Sequence, residues 1–407
     1  MKALFAYDAR FYSANANIYS GVYFPASIWQ RYLEHFDRLT VAARDGGSLV
    51  SGEEAGLELS STAGVTFELL PNLSSPVGLL LTRHKVRKRM RSLVAGVDVV
   101  IARLPGQFGH LAIDCAEEQG KPWAVEVVGC AFDGLWHHGS LQGKLYAPVA
   151  FARMRRKLSR ARFALYVTER FLQSRYPCKS GFIANASNVA LPPADVAVLE
   201  HRLRRLADSR VERPLRLGLI GSLQTRAKGV QTVIAALSAA RADLPPVTFH
   251  VLGPGDQRPW RKLAEQSGIA DIVFFEECLP PGAAVLKWLD TIDVYLQPSL
   301  QEGLPRALLE AMSRACPAIG SRRAGIPELL VSEDLITPGN ARELAAMLQE
   351  RLVDFAWMKC RARSNWEKSR KYEASNLDKQ RSTFWAAFKG AALEQTASQH
   401  GRHEQSF

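Results

Sequence analysis

The segment Ser299–Met312 is the stretch that most constrains how this chain can fold. It follows the short apolar run Ile292–Leu296, which is typical of a buried parallel strand. Pro305 suits the first turn of a helix, because its missing N–H has no intrahelical partner there, and Ala307–Met312 are strong helix formers. A strand, a short loop and a helix in this order predict a parallel α/β sheet with a ligand-binding corner at the carboxyl end of the strand.

Two carboxylates and a glycine define the chemistry of that corner. Glu302 lies in the loop, Glu310 lies about a turn and a half into the helix, and Gly303 lets the backbone approach a ligand closely. Free N–H groups and the helix dipole favour phosphate, while the carboxylates can accept hydrogen bonds from different hydroxyls of one ligand. A nucleotide sugar presents sugar hydroxyls, a diphosphate and ribose hydroxyls in series. The pattern therefore predicts a nucleotide-sugar site.

This stretch resembles the paired-glutamate signature of family 4 (group 1) glycosyltransferases. The resemblance is carried by Pro298–Met312, Cys316–Ser321 and Gly325–Leu329, and it covers most of residues 215–332. It implies the GT-B fold, an α/β architecture in which two Rossmann-like, doubly wound parallel-sheet domains face each other across a cleft. It also implies retention of the anomeric configuration and no required metal or other cofactor. The sequence contains no Asp-x-Asp motif, in agreement with the absence of a metal.

The resemblance assigns most of the donor site to the second half of the chain. Lys228, in a glycine-bounded loop, matches the lysine that neutralises the leaving diphosphate. Ser222 stands where arginine is usual, and Arg226 is an alternative source of that charge. Glu310 would bind ribose hydroxyls, and Glu302 would orient the sugar. The other donor-site candidates, which would act through backbone or apolar contacts, are Gly21, Gly253, Leu279, Gly303 and Leu304.

Polar loops after the strands of the N-terminal half are candidates for the acceptor side. Asp133 is the preferred match to the residue that related enzymes place near the transferred sugar, and we predict it as catalytic together with Lys228 and Glu302. The acceptor-side candidates, all histidines, are His110, His137 and His138. A packing or acceptor-shaping role is the alternative for all four of these first-half residues. The His-His pair has no third ligand at metal spacing, so no metal site is predicted.

Alternating strands and helices predict two domains in 407 residues. We place an acceptor-binding domain at 1–195, a linker at 196–214, a donor-binding domain at 215–365 and a closing helix, which crosses back to the first domain, at 366–392. The predicted strands of the first domain are Lys2–Tyr7, Leu39–Ala43, Val97–Arg103, Trp123–Val128 and Phe163–Val167, with a polar loop at Asp8–Gly21.

The net charge of +12 is concentrated in the basic runs Arg83–Arg91 and Arg153–Lys157. The first run follows the apolar segment Pro76–Leu81, which favours contact with an anionic membrane surface; a solvated face is the alternative. Nucleic acid is not predicted as a partner, since no nucleic-acid-binding motif is present. Six scattered cysteines without a C-x-x-C pair favour a reducing cytoplasm. No run approaches the roughly 20 apolar residues of a membrane span. We therefore predict a cytoplasmic protein, peripheral on the inner face of the plasma membrane.

These observations predict a retaining, hexosyltransferase-type glycosyltransferase. It would move a sugar from a nucleoside-diphosphate donor, UDP rather than GDP, to a glycan such as a lipid-linked polysaccharide intermediate. Two alternatives stay open. One is a nucleotide-sugar epimerase or phosphorylase built on the same frame, and the other is a non-catalytic nucleotide- or glycan-binding protein.

Overall fold

The computed structural model describes residues 1–21, 24–50, 56–73, 82–136, 141–208 and 213–404, with no side chains described beyond 398. The chain divides into two compact units. The first comprises Met1–Ala186 together with the chain from Asp378 onward, and the second comprises Ser187–Leu377. The division differs from the predicted one, which ended the first domain at residue 195. Within the described residues, no helix is long and apolar enough to cross a bilayer.

The first unit contains one mixed sheet, in which nine strands are described. Its main path runs β4-β2-β1-β6-β7-β8-β9, with β3 pairing β1 and β5 pairing β3. All the pairings are parallel except those of β2 with β1 and with β4. The strands are β1 (Lys2–Ala14), β2 (Asn17–Ser20), β3 (Arg38–Ser48), β4 (Glu58–Leu59), β5 (Val65–Leu70), β6 (Val99–Leu104), β7 (Trp123–Val127), β8 (Phe163–Tyr166) and β9 (Phe182–Asn185).

Helices cover this sheet and carry much of its apolar packing. On the final helix, Trp385 and Phe388 are buried and pack against Tyr32 and Phe36. The helices of the first unit are α1 (Gln30–Leu33), α2 (Arg83–Ala95), α3 (Gln107–Glu118), α4 (Ala131–Trp136), α5 (Leu141–Leu158) and α6 (Phe171–Arg175), with a 3₁₀ turn at Ala26–Trp29.

The polar loop predicted at Asp8–Gly21 is wrong, because β1 continues to Ala14 and returns as β2. Strand β1 pairs with β6 only as far as Ala6, and its register against β3 shifts before it resumes at Arg10. Asn15 and Ala16 adopt positive φ in the turn between the two strands. Phe11 is buried against aromatic rings, so the outward polar residues are one face of a hairpin.

The second unit has one parallel sheet, ordered β12-β11-β10-β13-β14-β15 in the described residues. Counted from β10 as the first strand, this is the order 3-2-1-4-5-6 of a Rossmann fold, whose switch point lies between β10 and β13. The strands are β10 (Leu215–Ile220), β11 (Val247–Leu252), β12 (Val273–Glu276), β13 (Val294–Gln297), β14 (Ala318–Ser321) and β15 (Leu335–Ile336).

The helices of the second unit include one that replaces the predicted linker at 196–214. Arg202 on this helix is buried and donates to the carbonyls of Leu289 and Arg314, so the segment is part of the unit. The helices are α7 (Val196–Asp208), α8 (Val230–Ala240), α9 (Arg258–Gln266), α10 (Ala283–Asp290), α11 (Arg306–Ser313), α12 (Ile326–Leu329), α13 (Ala341–Arg351) and α14 (Phe355–Ser369), followed by α15 (Ala374–Glu404), which continues into the first unit. The crossing helix therefore begins at Ala374 rather than at residue 366, and Trp366 belongs to the core of the second unit.

Candidate active site

Two loops meet at the switch point of the second sheet. Strands β10 and β13 are neighbours, so the loops that follow them leave the sheet at the same edge. The backbone N–H of Leu300 donates to the carbonyl of Ala227 at 2.8 Å, which ties one loop to the other. Ser321 at the end of β14 donates through Oγ to the carbonyl of Ser299 at 2.6 Å. Three strand ends therefore hold this corner together.

Lys228 and Glu302 form an ion pair across the two loops. Lys228 Nζ lies 2.5 Å from Glu302 Oε1, and the same oxygen accepts hydrogen bonds from Gln297 Nε2 at 2.9 Å and Ser299 Oγ at 3.0 Å. The Glu302 side chain is 7% exposed and that of Lys228 is 29% exposed. Within the described parts of the chain each of these contacts uses Oε1, so Oε2 can accept a hydrogen bond from a ligand. The lysine keeps two further N–H groups and is open to solvent on one side.

A buried hydrogen-bonded chain supports Glu302 from beneath. Tyr295 Oη donates to Gln297 Oε1 at 3.0 Å and accepts from the backbone N–H of Ile220 at 3.3 Å. Burial, with additional effects of the Glu302 and Glu310 carboxylates, holds the pKa of Tyr295 well above its ordinary value, so the phenol stays neutral. Sequence reasoning missed Tyr295, Gln297 and their link to Glu302. Tyr295 and Gln297 are two residues apart on β13, so they lie on the same side of the strand. This spacing was the signal that the sequence offered.

Glycines set the close approach of these loops. A Cβ on Gly221 would lie 2.4 Å from Lys228 Cγ, and a Cβ on Gly253 would lie 2.2 Å from the carbonyl oxygen of Gly221. Gly229 has φ +78°, and a Cβ there would lie 2.2 Å from the Pro298 carbonyl oxygen. Gly229 therefore allows the lysine loop to pack against the glutamate loop, and Gly221 and Gly253 allow the close packing around the lysine loop itself.

Glu310 lies on α11, the helix that begins after Pro305. Its side chain is half-buried, and burial raises the pKa of its carboxyl although the Arg306 guanidinium opposes the shift. Among the described residues, no hydrogen bond or ion pair engages the Glu310 carboxylate. The Glu302 and Glu310 carboxylates both contribute to the raised pKa of Tyr295, so both lie near its phenol. Glu310 is therefore positioned to bind a hydroxyl of a ligand.

The remaining donor-site candidates lie around this corner with different degrees of support. The Gly303 carbonyl accepts from the Gly325 N–H at 2.9 Å, and Leu304 is partly buried against the apolar cluster below. Ser222 Oγ accepts from the Gln224 N–H at 3.3 Å. Arg226 is exposed at the start of a 3₁₀ turn, so its guanidinium can swing toward an anion. Leu279 is partly buried in the same apolar cluster as Leu304.

The first-unit candidates occupy separate surroundings. Gly21 follows β2, and its carbonyl accepts from Ser20 Oγ at 2.9 Å. His110 is buried on α3, where burial together with Arg153 and Lys157 lowers its pKa to about 3, so its ring is neutral. Asp133 is buried on α4, and Arg175 Nη2 lies 3.7 Å from its carboxylate. His137 and His138 lie outside the described residues.

Sequence reasoning missed a polar cluster where β1 leaves β6. Asp8 Oδ2 accepts from the Phe108 N–H at 3.1 Å at the start of α3, and a Cβ on Gly106 would lie 2.5 Å from that oxygen. Burial raises the pKa of Asp8 to about 6, against the opposing effects of the Phe108 N–H and Arg44. Nothing in the local pattern distinguishes Asp8 from a loop aspartate, because its partners come from the distant α3.

A second part of this cluster centres on Glu126, on β7. Arg103 Nη1 lies 3.4 Å from Glu126 Oε2, and Tyr32 Oη donates to Glu126 Oε1 at 2.7 Å. The guanidinium of Arg103 also lies 5.2 Å from the ring centroids of both Tyr7 and Phe24. Arg103 and Glu126 are both buried, so their charges compensate each other inside the unit.

Comparison with known proteins agrees with this arrangement. Residues 214–354 match the family model described as glycosyl transferases group 1. Protein CapJ of Staphylococcus aureus is 26% identical over 385 residues, which is 94% of each chain. The amylovoran biosynthesis glycosyltransferase AmsK of Erwinia amylovora is 33% identical over 152 residues, which is 34% of this chain and 36% of that protein. The crystal structure of Anabaena HepE in complex with UDP superposes with a TM-score of 0.63 at 16% identity, covering 95% of this chain and 100% of that one.

The two α/β units, each built on a largely or wholly parallel sheet, and the likeness to HepE define the class, a two-domain α/β protein with the GT-B fold. Within that class the family match falls on the unit that holds Lys228, Glu302 and Glu310. The second unit therefore contains a domain that matches the group 1 glycosyl transferases.

Proposed function

We propose that this glycosyltransferase moves a sugar from a UDP-sugar to a growing polysaccharide with retention of the anomeric configuration. The observation that carries the proposal is the Lys228–Glu302 pair at the switch point of the second sheet, where a parallel sheet binds its ligand. The epimerase, phosphorylase and binding-protein readings receive no comparable support from the site.

Breaking the bond between the anomeric carbon and the diphosphate oxygen places negative charge on the departing diphosphate. Lys228 pairs with Glu302 in the loop that leads into α11, and the first N–H groups of α11 have no intrahelical acceptors. Together they would stabilise the developing charge electrostatically, without supplying a proton. Arg226 would add a second cation from the exposed side of the same loop.

The two carboxylates would hold the hydroxyls on either side of that diphosphate. Glu302 is fixed by Lys228, Gln297 and Ser299, so Oε2 can accept from a sugar hydroxyl without reorganisation. Glu310 is left to accept hydrogen bonds from ribose hydroxyls. Asp133 remains our candidate for the first-unit residue nearest the reacting carbon.

UDP is proposed because the solved structures of HepE, which share the fold, hold UDP or UDP-glucose. A polysaccharide product is proposed because relatives that match this chain are named for amylovoran and colanic acid biosynthesis. The corresponding acceptor would be a lipid-linked glycan intermediate. An enzyme acting on it would work at the cytoplasmic face of the plasma membrane, where the exposed cations of α2 would favour anionic lipid. The predicted apolar segment Pro76–Leu81 lies outside the described residues.

Thermal unfolding of the protein with a panel of UDP- and GDP-sugars tests the donor. A UDP-sugar at about 100 times its dissociation constant should stabilise the native state by about 2.7 kcal/mol, whereas GDP-sugars should not. Product analysis with the stabilising sugar then separates the reactions. A new glycosidic bond of the donor's anomeric configuration supports the proposal, and a free epimerised nucleotide sugar or a sugar phosphate would overturn it.

A further inference from the structure

Helix α5 presents an apolar stripe that the described residues of the first unit leave exposed. Leu141, Leu145 and Val149 are 74%, 72% and 56% exposed, and their spacing of four residues places them on one face of the helix. Trp136, on the preceding helix α4, is 43% exposed and stacks on Phe132. Isolated exposed leucines are ordinary on protein surfaces, but a contiguous apolar row along one helix face is typical of an interaction site.

The same helix is basic and lacks acidic residues. Residues 141–162 contain seven Lys or Arg side chains and no Asp or Glu. Two of these cations face inward, where Lys157 pairs with Asp114 and Glu117 of α3, and Arg153 Nη2 lies 3.8 Å from Asp114. The cations that remain exposed on the helix and just after it are Lys144, Arg155, Arg156, Arg160 and Arg162. The outward face is therefore apolar over its first turns and cationic over its last.

The direction of α5 places the apolar half at the ligand-binding edge of the first sheet. Strands β7 and β8 are parallel neighbours, so the helices that connect them start at the carboxyl ends of the strands and return. Leu141 and Leu145 consequently lie at the edge where β6 and β7 end, and Arg155 and Arg156 lie toward the opposite edge. An amphipathic helix with tryptophan, leucine and a cationic segment is suited to lie in the plane of a lipid surface.

We propose that the outward face of α5, with Trp136, docks the first unit on an anionic phospholipid surface. The leucines and Trp136 enter the boundary between headgroups and acyl chains, and the exposed cations contact lipid phosphates. We choose a lipid surface as the occupant on grounds of charge, because a face that carries or adjoins five exposed cations would repel a second copy of itself. The inference rests on the proposed function, in which the acceptor is lipid-linked, and it names the helix face that contacts the membrane holding that acceptor. It can fail while glycosyl transfer to a soluble acceptor remains intact.

Flotation of the full chain with lipid vesicles tests the apolar half of the face. The protein should float with vesicles containing phosphatidylglycerol, and the double variant Leu141→Gln, Leu145→Gln should partition at least about tenfold less. The matched control is Val196→Gln, Val353→Gln, which removes two valines of the second unit that are 57% and 60% exposed and should float like the wild type. Undiminished flotation of the leucine variant would overturn the proposal.

A charge variant and a fluorescence measurement separate the two halves of the face. Lys144→Gln, Arg156→Gln, Arg160→Gln should lose on the order of tenfold on phosphatidylglycerol vesicles and nothing on phosphatidylcholine vesicles. Tryptophan emission should be quenched by bromine-labelled acyl chains, and Trp136→Phe should abolish the quenching. Circular dichroism melting verifies that each variant is folded. A wild-type dimer that the leucine substitutions convert to a monomer in light scattering would assign the face to a second copy and contradict the proposal.

Discussion

The polar corner of the second unit and the polar cluster of the first unit both join residues that are far apart in the sequence. They differ in whether the sequence pattern predicts them. Lys228 and Glu302 are 74 residues apart, yet each lies in a loop marked by glycine directly after an apolar strand. Asp8 and Phe108 are 100 residues apart, and Asp8 lies inside a strand without such marks. A loop at a strand end thus carries its own signal, whereas a charge buried by a distant helix does not.

Removing the positive charge of Lys228 in the second unit should have the largest effect on the enzyme. Lys228→Met should lower kcat by about 10²–10³-fold, roughly 3–4 kcal/mol in the barrier, because the leaving diphosphate loses its nearest positive charge. Lys262→Met, an equally conservative change at an exposed lysine on α9, should leave kcat unchanged. Steady-state kinetics with a UDP-sugar measure both. Equal rates for wild type and Lys228→Met would remove the lysine from the mechanism.

Gly229→Ala tests whether the lysine loop is shaped by the glutamate loop. The substitution combines a positive φ with a Cβ 2.2 Å from the Pro298 carbonyl oxygen and should destabilise the protein by about 3 kcal/mol. Gly268→Ala is the matched control, since Gly268 has φ +68° with nothing within 4 Å, and it should cost only about 1 kcal/mol. Urea unfolding measures both, and equal losses would show that contact between the loops contributes nothing.

Asp8→Asn tests whether the polar cluster of the first unit buries a charged carboxylate. The pKa of Asp8 is raised to about 6, so its contribution to stability is full below its unfolded pKa near 3.8 and is lost as pH rises through 6. Asparagine keeps an acceptor for the Phe108 N–H and carries no charge. Relative to wild type, the variant should therefore gain on the order of 2 kcal/mol between pH 4 and pH 8. The free energy of unfolding of both proteins is measured across this range. If the difference between them does not change with pH, the Asp8 carboxylate is not buried as a charge.

Tyr295→Phe should have the smallest effect, because it removes the support of Gln297 and leaves Glu302 its other partners. The loss of one hydrogen bond beneath the carboxylate should lower kcat/KM several-fold, or about 1 kcal/mol. Tyr372→Phe, a change at another buried tyrosine of the same unit, provides the control for repacking. A drop as large as that of Lys228→Met would mean that Tyr295 has a direct chemical role.

The second sheet was largely predictable, and the strand ends and helix that hold Lys228, Glu302 and Glu310 lie where the sequence pattern predicts them. Periodicity identifies β10, β13 and the helices after them because each apolar run ends at a glycine, proline or charged loop. The support of Glu302 by Gln297 and Tyr295 depends on the twist and register of one strand, which composition does not encode. The extension of β1 was missed because Ser13, Asn15 and Asn17 are typical of loops, and only their pairing with distant strands identifies a hairpin.

Titration calorimetry of UDP and uridine against the wild type and Lys228→Met tests the central claim most directly. If the ammonium group holds the diphosphate, UDP should bind the variant at least about tenfold more weakly, roughly 1.4 kcal/mol. Uridine, which has no phosphate, should lose nothing. Equal UDP affinity in the two proteins, or an equal loss for uridine, would contradict the assignment of Lys228 to the diphosphate.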